Sequence, residues 1–178
     1  MLQVLLRRTY DIAGYLAAAF VVAIFVVMIG ASALRQVGIA TAGTDDLVSW
    51  MTAAAAFLGL AHTFRNGDFV RMTLVIDALK PAWRQAAEVL ALLVGVTATA
   101  FGAWWVIAEV YQSWKFNDMS QGLLVVALWI PQCSFAIGAV LLFVAMTEEL
   151  VRTLRGLKPT YVEAAEARHA RGDYSEDV

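Results

Sequence analysis

Four stretches of the chain are almost unbroken in apolar residues, and each is bounded by charge or by turn residues. They run approximately over 12–34, 47–64, 89–108 and 122–147. An α-helix rises about 1.5 Å per residue, so about 20 apolar residues cross a hydrocarbon layer about 30 Å thick. All four stretches meet or approach that length. Strands of a membrane barrel need only about 9–11 residues, and a backbone in lipid must satisfy its own hydrogen bonds, so the pattern predicts four transmembrane helices. The first stretch follows Arg7 and Arg8, and Ala31-Ser32-Ala33 has the look of a cleavage site. Yet the run far exceeds the roughly 7–15 residues of a signal-peptide core, and we read it as a retained helix.

Between the second and third runs the pattern changes. Asn66-Gly67 is a turn signal that can end a helix, with Gly67 left-handed, and Asp68 is a candidate N-cap for a new one. At about 100° per residue, Phe69, Met72, Ile76 and Leu79 fall on one stripe, and Trp83 continues it. Thr73, Asp77, Lys80 and Arg84 form a polar wedge beside it, while Pro81 disfavours helical geometry at Lys80. A helix over about 68–80 is too short to span, so it is predicted to lie along the membrane interface as an arm. The bland alternative is a connector whose basic residues only fix topology.

Composition agrees with this reading. Of the 178 residues, 61% are hydrophobic, against about 45–50% in soluble domains. Mean hydropathy is +0.68. A net charge of −2 gives no electrostatic reason to expect a nucleic-acid partner. The distribution of charge says more than its sum. Lysines and arginines number two before the first span, then one, four, one and five in the successive connections and the tail, accounting for all 13. Basic residues favour the cytoplasmic side, so both termini and the arm are expected there. The expected fold class is therefore an all-α integral membrane protein, N-in and C-in, with a cytoplasmic amphipathic helix between spans two and three. Residues 1–158 form one membrane domain and 159–178 a polar tail.

Asp45 and Asp46 open the second span, where carboxylates suit the positive end of the helix dipole. Trp50, Trp83, Tyr111 and Trp114 fall near the predicted interfaces, where such rings are favoured. Glycines and other small residues recur at four-residue spacing, in Gly14/Ala18, Ala55/Gly59, Ala98/Gly102 and Ser134/Gly138, as close helix packing requires.

Candidate chemistry is sparse. Charged residues inside a span are costly and usually functional. Glu88 and Glu109 are near the ends of the third span, where Glu109 is expected as a hydrated interfacial carboxylate or a partner contact. Glu148 and Glu149, beside Arg152, read as solvated helix-end charges. His62 reads as a locally bonded interface residue. With His169 in the tail, it leaves no intramembrane pair for a bis-histidine haem, and no cofactor or metal is expected. Cys133 has no partner for an internal disulfide, and Cys133-Ser134 has no histidine nearby to act as base. Pro131 predicts a kink in span four. No hydrolase, zinc-protease or phosphate-loop pattern occurs. An enzyme is not expected; a self-contained small transporter or enzyme, or a structural protein with another partner, are the alternatives.

Two passages carry a family resemblance. Arg65-Asn66-Gly67-Asp68, followed by an amphipathic stretch, resembles the Arg-x-Gly-x-His-like pattern of the DctQ-like small membrane subunits of TRAP transporters (tripartite ATP-independent periplasmic transporters). Phe69 stands where a histidine is usual, and Thr73 where an acidic residue often follows. "SQGLLVVALWIPQCSFAIG", residues 120–138, is similar to the family's entry into the last span, with Trp129, Pro131 and Gly138 in place and Ala127 replacing a proline. The resemblance covers roughly residues 10–155. It implies a multi-pass subunit of the bacterial inner membrane that binds no substrate itself. It would brace a large multi-spanning subunit during ion-coupled uptake, commonly of an organic acid brought by a periplasmic binding protein. Its partners would be that large subunit, indirectly the binding protein, and lipid. With the resemblance, the arm and turn residues Arg65, Gly67, Asp68, Phe69, Met72, Ile76, Leu79 and Arg84 are expected at a partner interface, while His62, Glu109 and Pro131 are further candidate interfacial contacts read from the residues themselves. Phe69→Asp or Ile76→Asp should weaken recovery of the large subunit with the tagged chain, while Thr73→Ala should change it little. Equal recovery from the aspartate variants would mean that the stripe faces neither protein nor lipid.

Overall fold

The computed structural model describes residues 2–66, 81–157 and 160, with side chains from Leu6 onward in the first segment and from Gln85 in the second. Four helices carry the fold: α1 Leu2–Gln36, α2 Thr44–Asn66, α3 Pro81–Phe116 and α4 Trp129–Leu154. Each contains a stretch long and apolar enough to cross a membrane. Gly67, Asp68, Phe69, Met72, Ile76 and Leu79 lie outside the described residues, as does the side chain of Arg84.

The bounds shift in one informative place. Span four begins at Trp129 and not at residue 122, because residues 117–128 form a loop closed by a bridge between Met119 and Ala127. Pro131 therefore sits in the first turn of α4. A proline there removes only an N–H that has no partner within the helix, so it starts the helix and does not kink it. The carbonyl of Pro131 accepts the Ser134 hydroxyl at 2.6 Å.

Three helices end in the same way. At the end of α3, Asn117 takes a left-handed φ of 53°, its N–H reaches Trp114 O, and the Asp118 N–H reaches Ser113 O at 3.0 Å. Gly38 after α1 and Gly156 after α4 repeat this pair of bonds at φ 82° and 70°. The arrangement satisfies carbonyls that a helix end otherwise leaves bare.

Packing orders the helices α1–α2–α4–α3 across the array. Small residues set each contact. Gly59 of α2 lies against Ala17 of α1, with 3.7 Å between the Ala17 methyl and the place a Gly59 Cβ would occupy. At Gly138 of α4 a Cβ would come within 2.5 Å of the Phe57 backbone of α2, and the Phe57 and Phe135 rings stack alongside, 5.7 Å apart. Gly95 of α3 admits the sulfur of Met146 on α4. At one end all four helices converge: Tyr10, Ala61, Phe64, Leu92 and Ala145 form a single buried cluster. Elsewhere most apolar surface faces outward, with Phe25 and Val26 on α1 and Phe101 and Trp104 on α3 all exposed.

Gly138→Ala should lower the stability of the purified chain in detergent by about 1–3 kcal/mol through overpacking. Gly102→Ala, which points into open space, should not lower it. Matching thermal midpoints for the two variants would show that the α2–α4 approach is not close.

Candidate functional site

The convergence of the four helices holds the most enclosed charges among the described residues, Arg65, Glu148 and Glu149. Arg65, in the last turn of α2, donates from Nη1 to Oε2 of Glu148 on α4 at 3.0 Å, and both side chains are only 17% exposed. The guanidinium lies 5.0 Å from the ring centroid of Tyr10 on α1, within cation–π range. Tyr10 is itself fully buried. One cation thus ties three helices through a charge-assisted hydrogen bond and an aromatic face.

His62, one turn before Asn66, bonds across to α1. Its Nδ1 is 3.2 Å from the Tyr10 carbonyl and 3.8 Å from Oδ1 of Asp11. Its Nε2 is 2.9 Å from the Asn66 amide nitrogen. With that amide donating, Nε2 accepts and Nδ1 carries the hydrogen that meets the Tyr10 carbonyl. Gly14 makes room for the ring, since a Cβ there would lie 2.7 Å from His62 Cγ. His62 thus has one bond within its own helix, to Asn66, and one to α1, 52 residues away.

The two glutamates differ from their sequence reading as solvated charges. Glu148 is engaged by Arg65. Glu149 is buried, and its carboxylate accepts the Thr160 N–H at 2.6 Å and the Thr160 hydroxyl at 2.8 Å. Adjacent residues on a helix point about 100° apart. One therefore meets α2 while the other holds the residue beyond the end of α4.

The opposite end has its own fastening. The Asp46 carboxylate accepts the backbone N–H groups of Leu123 and Leu124 at 2.9 and 3.3 Å. Gly122 abuts that carboxylate, and Leu124 is seated on Gly43. Asp46 therefore holds the 117–128 loop against the start of α2. Asp45 lies 4.0 Å from Arg35. Glu109 is exposed on α3, and among the described residues no bond reaches it. Of the sequence-assigned residues, the structure brings Arg65 and His62 together and leaves Glu109 and Pro131 apart from them. Sequence reasoning missed Tyr10, Glu148, Glu149 and Thr160. The available signal was a single basic residue at the end of α2 matched by two acids near the end of α4.

Among the described residues no group of three histidine, cysteine, aspartate or glutamate side chains is placed to hold a metal ion. The chemistry of the junction is that of a lock: each of Arg65, Glu148 and Glu149 is engaged by a neighbour of opposite or complementary character.

Residues 24–156 match the family model of the DctQ component of the tripartite ATP-independent periplasmic transporters. The chain belongs to this family. It is thus a small membrane component of a TRAP transporter, and the resemblance seen in Arg65–Asp68 and in residues 120–138 holds. No curated protein compared with the chain matches it. Within this DctQ component the matched residues include His62, Arg65, Glu148 and Glu149, while Tyr10 precedes them and Thr160 follows.

Arg65→Leu should destabilise the DctQ component by about 1.5–3 kcal/mol, the range for losing a hydrogen bond to a charged group. Arg65→Leu/Glu148→Leu should recover much of that loss, since an apolar pair leaves no orphaned charge. Thermal unfolding in detergent checks both. A double variant no more stable than the single one would mean that the pair does not act as a unit.

Proposed function

We propose that this DctQ component is a non-catalytic brace for the large multi-spanning membrane subunit of its transporter. In this reading the large subunit carries the solute and the coupling ion. The small one widens and levels its static part during uptake of an organic acid delivered by a periplasmic binding protein. The chain lies in the bacterial inner membrane with both termini in the cytoplasm, and the 68–80 arm rests on the cytoplasmic surface. Arg65, Gly67 and Asp68 shape the turn into that arm. Phe69, Met72, Ile76 and Leu79 supply its apolar stripe, and Arg84 and its neighbours the basic edge. Basic groups near anionic lipid add about 1 kcal/mol each.

One observation carries this reading. Between the charged ends the buried side chains among the described residues include Ala13, Ala17, Ala54, Leu58, Ala103 and Ala139, a largely small and apolar seam. A solute path through the middle of a membrane protein is lined by polar or ionisable groups. This seam supplies adhesion between helices, which suits a support.

Uptake of the organic acid into vesicles should require both subunits. Large subunit alone should show at least about a tenfold lower rate, as expected if the transport-competent state is stabilised by about 1.4 kcal/mol or more. Full uptake by the large subunit alone would overturn the reading, as would transport by the purified small chain.

A further inference from the structure

The outer faces of the two edge helices are chemically different, and only one needs more than lipid. Asp46 and Arg65 stand 19 residues apart on α2, about 29 Å at 1.5 Å per residue, which matches the hydrocarbon thickness of about 30 Å. Leu92 of α3 shares the junction cluster with Phe64 and so marks the Arg65 level on that helix. Counting from Leu92, Trp105 lies 13 residues on, about 20 Å, and Glu109 17 residues on, about 26 Å. Trp105 falls inside the hydrocarbon thickness and Glu109 within about 4 Å of its far edge; tilting α3 from the membrane normal would set both deeper.

Ala98, Gly102, Trp105 and Glu109 follow one another at intervals of four, three and four, so they share one helix face. Ala98 and Glu109 are exposed, and Trp105 is 57% exposed with the Phe101 ring against its edge. Gly14, Gly59, Gly95 and Gly138 are all spent on contacts inside the chain, whereas nothing lies within 4 Å of a Cβ built on Gly102. The stripe therefore presents a notch, an aromatic knob, an indole N–H and a carboxylate. An acyl chain offers no donor to a carboxylate and no acceptor to an indole. On α1 the exposed large residues at comparable depth are Val21, Val22, Phe25, Val26, Met28 and Ile29, with an open Gly30, and none carries an N–H, an O–H or a charge on its side chain. Acyl chains satisfy that face completely.

We propose that the Ala98–Gly102–Trp105–Glu109 stripe of α3 seats a transmembrane helix of the large TRAP subunit. That helix carries a basic or amide side chain opposite Glu109. The assignment rests on the subunit reading above and adds the face, the close-approach notch and the charge that the partner must supply. A small-residue notch lets two helix backbones approach closely, and the carboxylate selects a partner of complementary charge.

The test is recovery of the co-expressed large subunit on the tagged small chain after detergent extraction. Gly102→Leu should reduce recovery by about tenfold, as a wedge costing about 1.4 kcal/mol does. Gly30→Leu on α1 should leave it unchanged. A photoreactive phenylalanine analogue replacing Trp105 should give an adduct with the large subunit; this readout does not depend on how well Gly102→Leu folds. An adduct only with a second copy of the chain, or no protein adduct, would overturn the proposal. Equal recovery from Gly102→Leu, itself folded, would overturn the face alone. Failure of the unaltered chain to recover the large subunit would overturn the subunit reading, and this assignment with it.

Discussion

Helices already inserted in lipid gain little by hiding apolar side chains from one another, because acyl chains are as apolar as leucine. What holds them together must be close approach and the few polar contacts that lipid cannot replace. Much of this structure follows from that constraint. Gly14, Gly59, Gly95 and Gly138 each bring a neighbouring helix within reach of dense packing. The polar contacts gather at the ends, in the Arg65–Glu148 pair and in the grip of Asp46 on the 117–128 loop. Between the ends the helices touch mainly through small and apolar side chains, among them Ala17, Phe57, Leu58, Phe135 and Met146, and most of their apolar surface is left for lipid or protein.

The same constraint explains what could be read directly from the residues. Four helices were legible because a membrane imposes a length and a composition that few other folds share. The start of α2 at Asp45 and Asp46, and its end at Asn66, were legible from charge and turn chemistry. The entry into α4 was not. Residues 122–128 are as apolar as any span, and hydropathy cannot see that backbone bonds such as Ser120 N–H to Val126 O draw them into a loop. The roles of Glu148 and Glu149 were illegible for a related reason. Their partners, Arg65 and Thr160, stand 83 and 11 residues away, and only the packing order brings Arg65 to α4. Of the residues read as a binding surface, Arg65 and His62 found defined partners. The remaining assignments depend on a second protein or lie outside the described residues.

Membership in the DctQ component family and the geometry of the chain point the same way. The match makes the chain a small membrane component of a TRAP transporter, and Arg65, Glu148 and Glu149 are spent on that component's own architecture. The exposed faces of α1 and α3 then distinguish what the component meets. An apolar face is indifferent among lipids, while a face with indole and carboxylate demands a complementary neighbour.

The spatial order α1–α2–α4–α3 also bears on how the chain is made. Ribosomes deliver α3 ahead of α4, yet α4 is its principal neighbour in the array. The α1–α2 hairpin can close as soon as both helices are inserted, with the His62 ring already over Gly14. The third helix must wait in the bilayer, or against the translocation machinery, until the last one arrives between it and the hairpin. Arg65 has the Tyr10 ring beside it from the start but meets its carboxylate only once Glu148 has been synthesised. The helix synthesised last is thus both the bridge between α3 and the hairpin and the carrier of the carboxylate that pairs with Arg65.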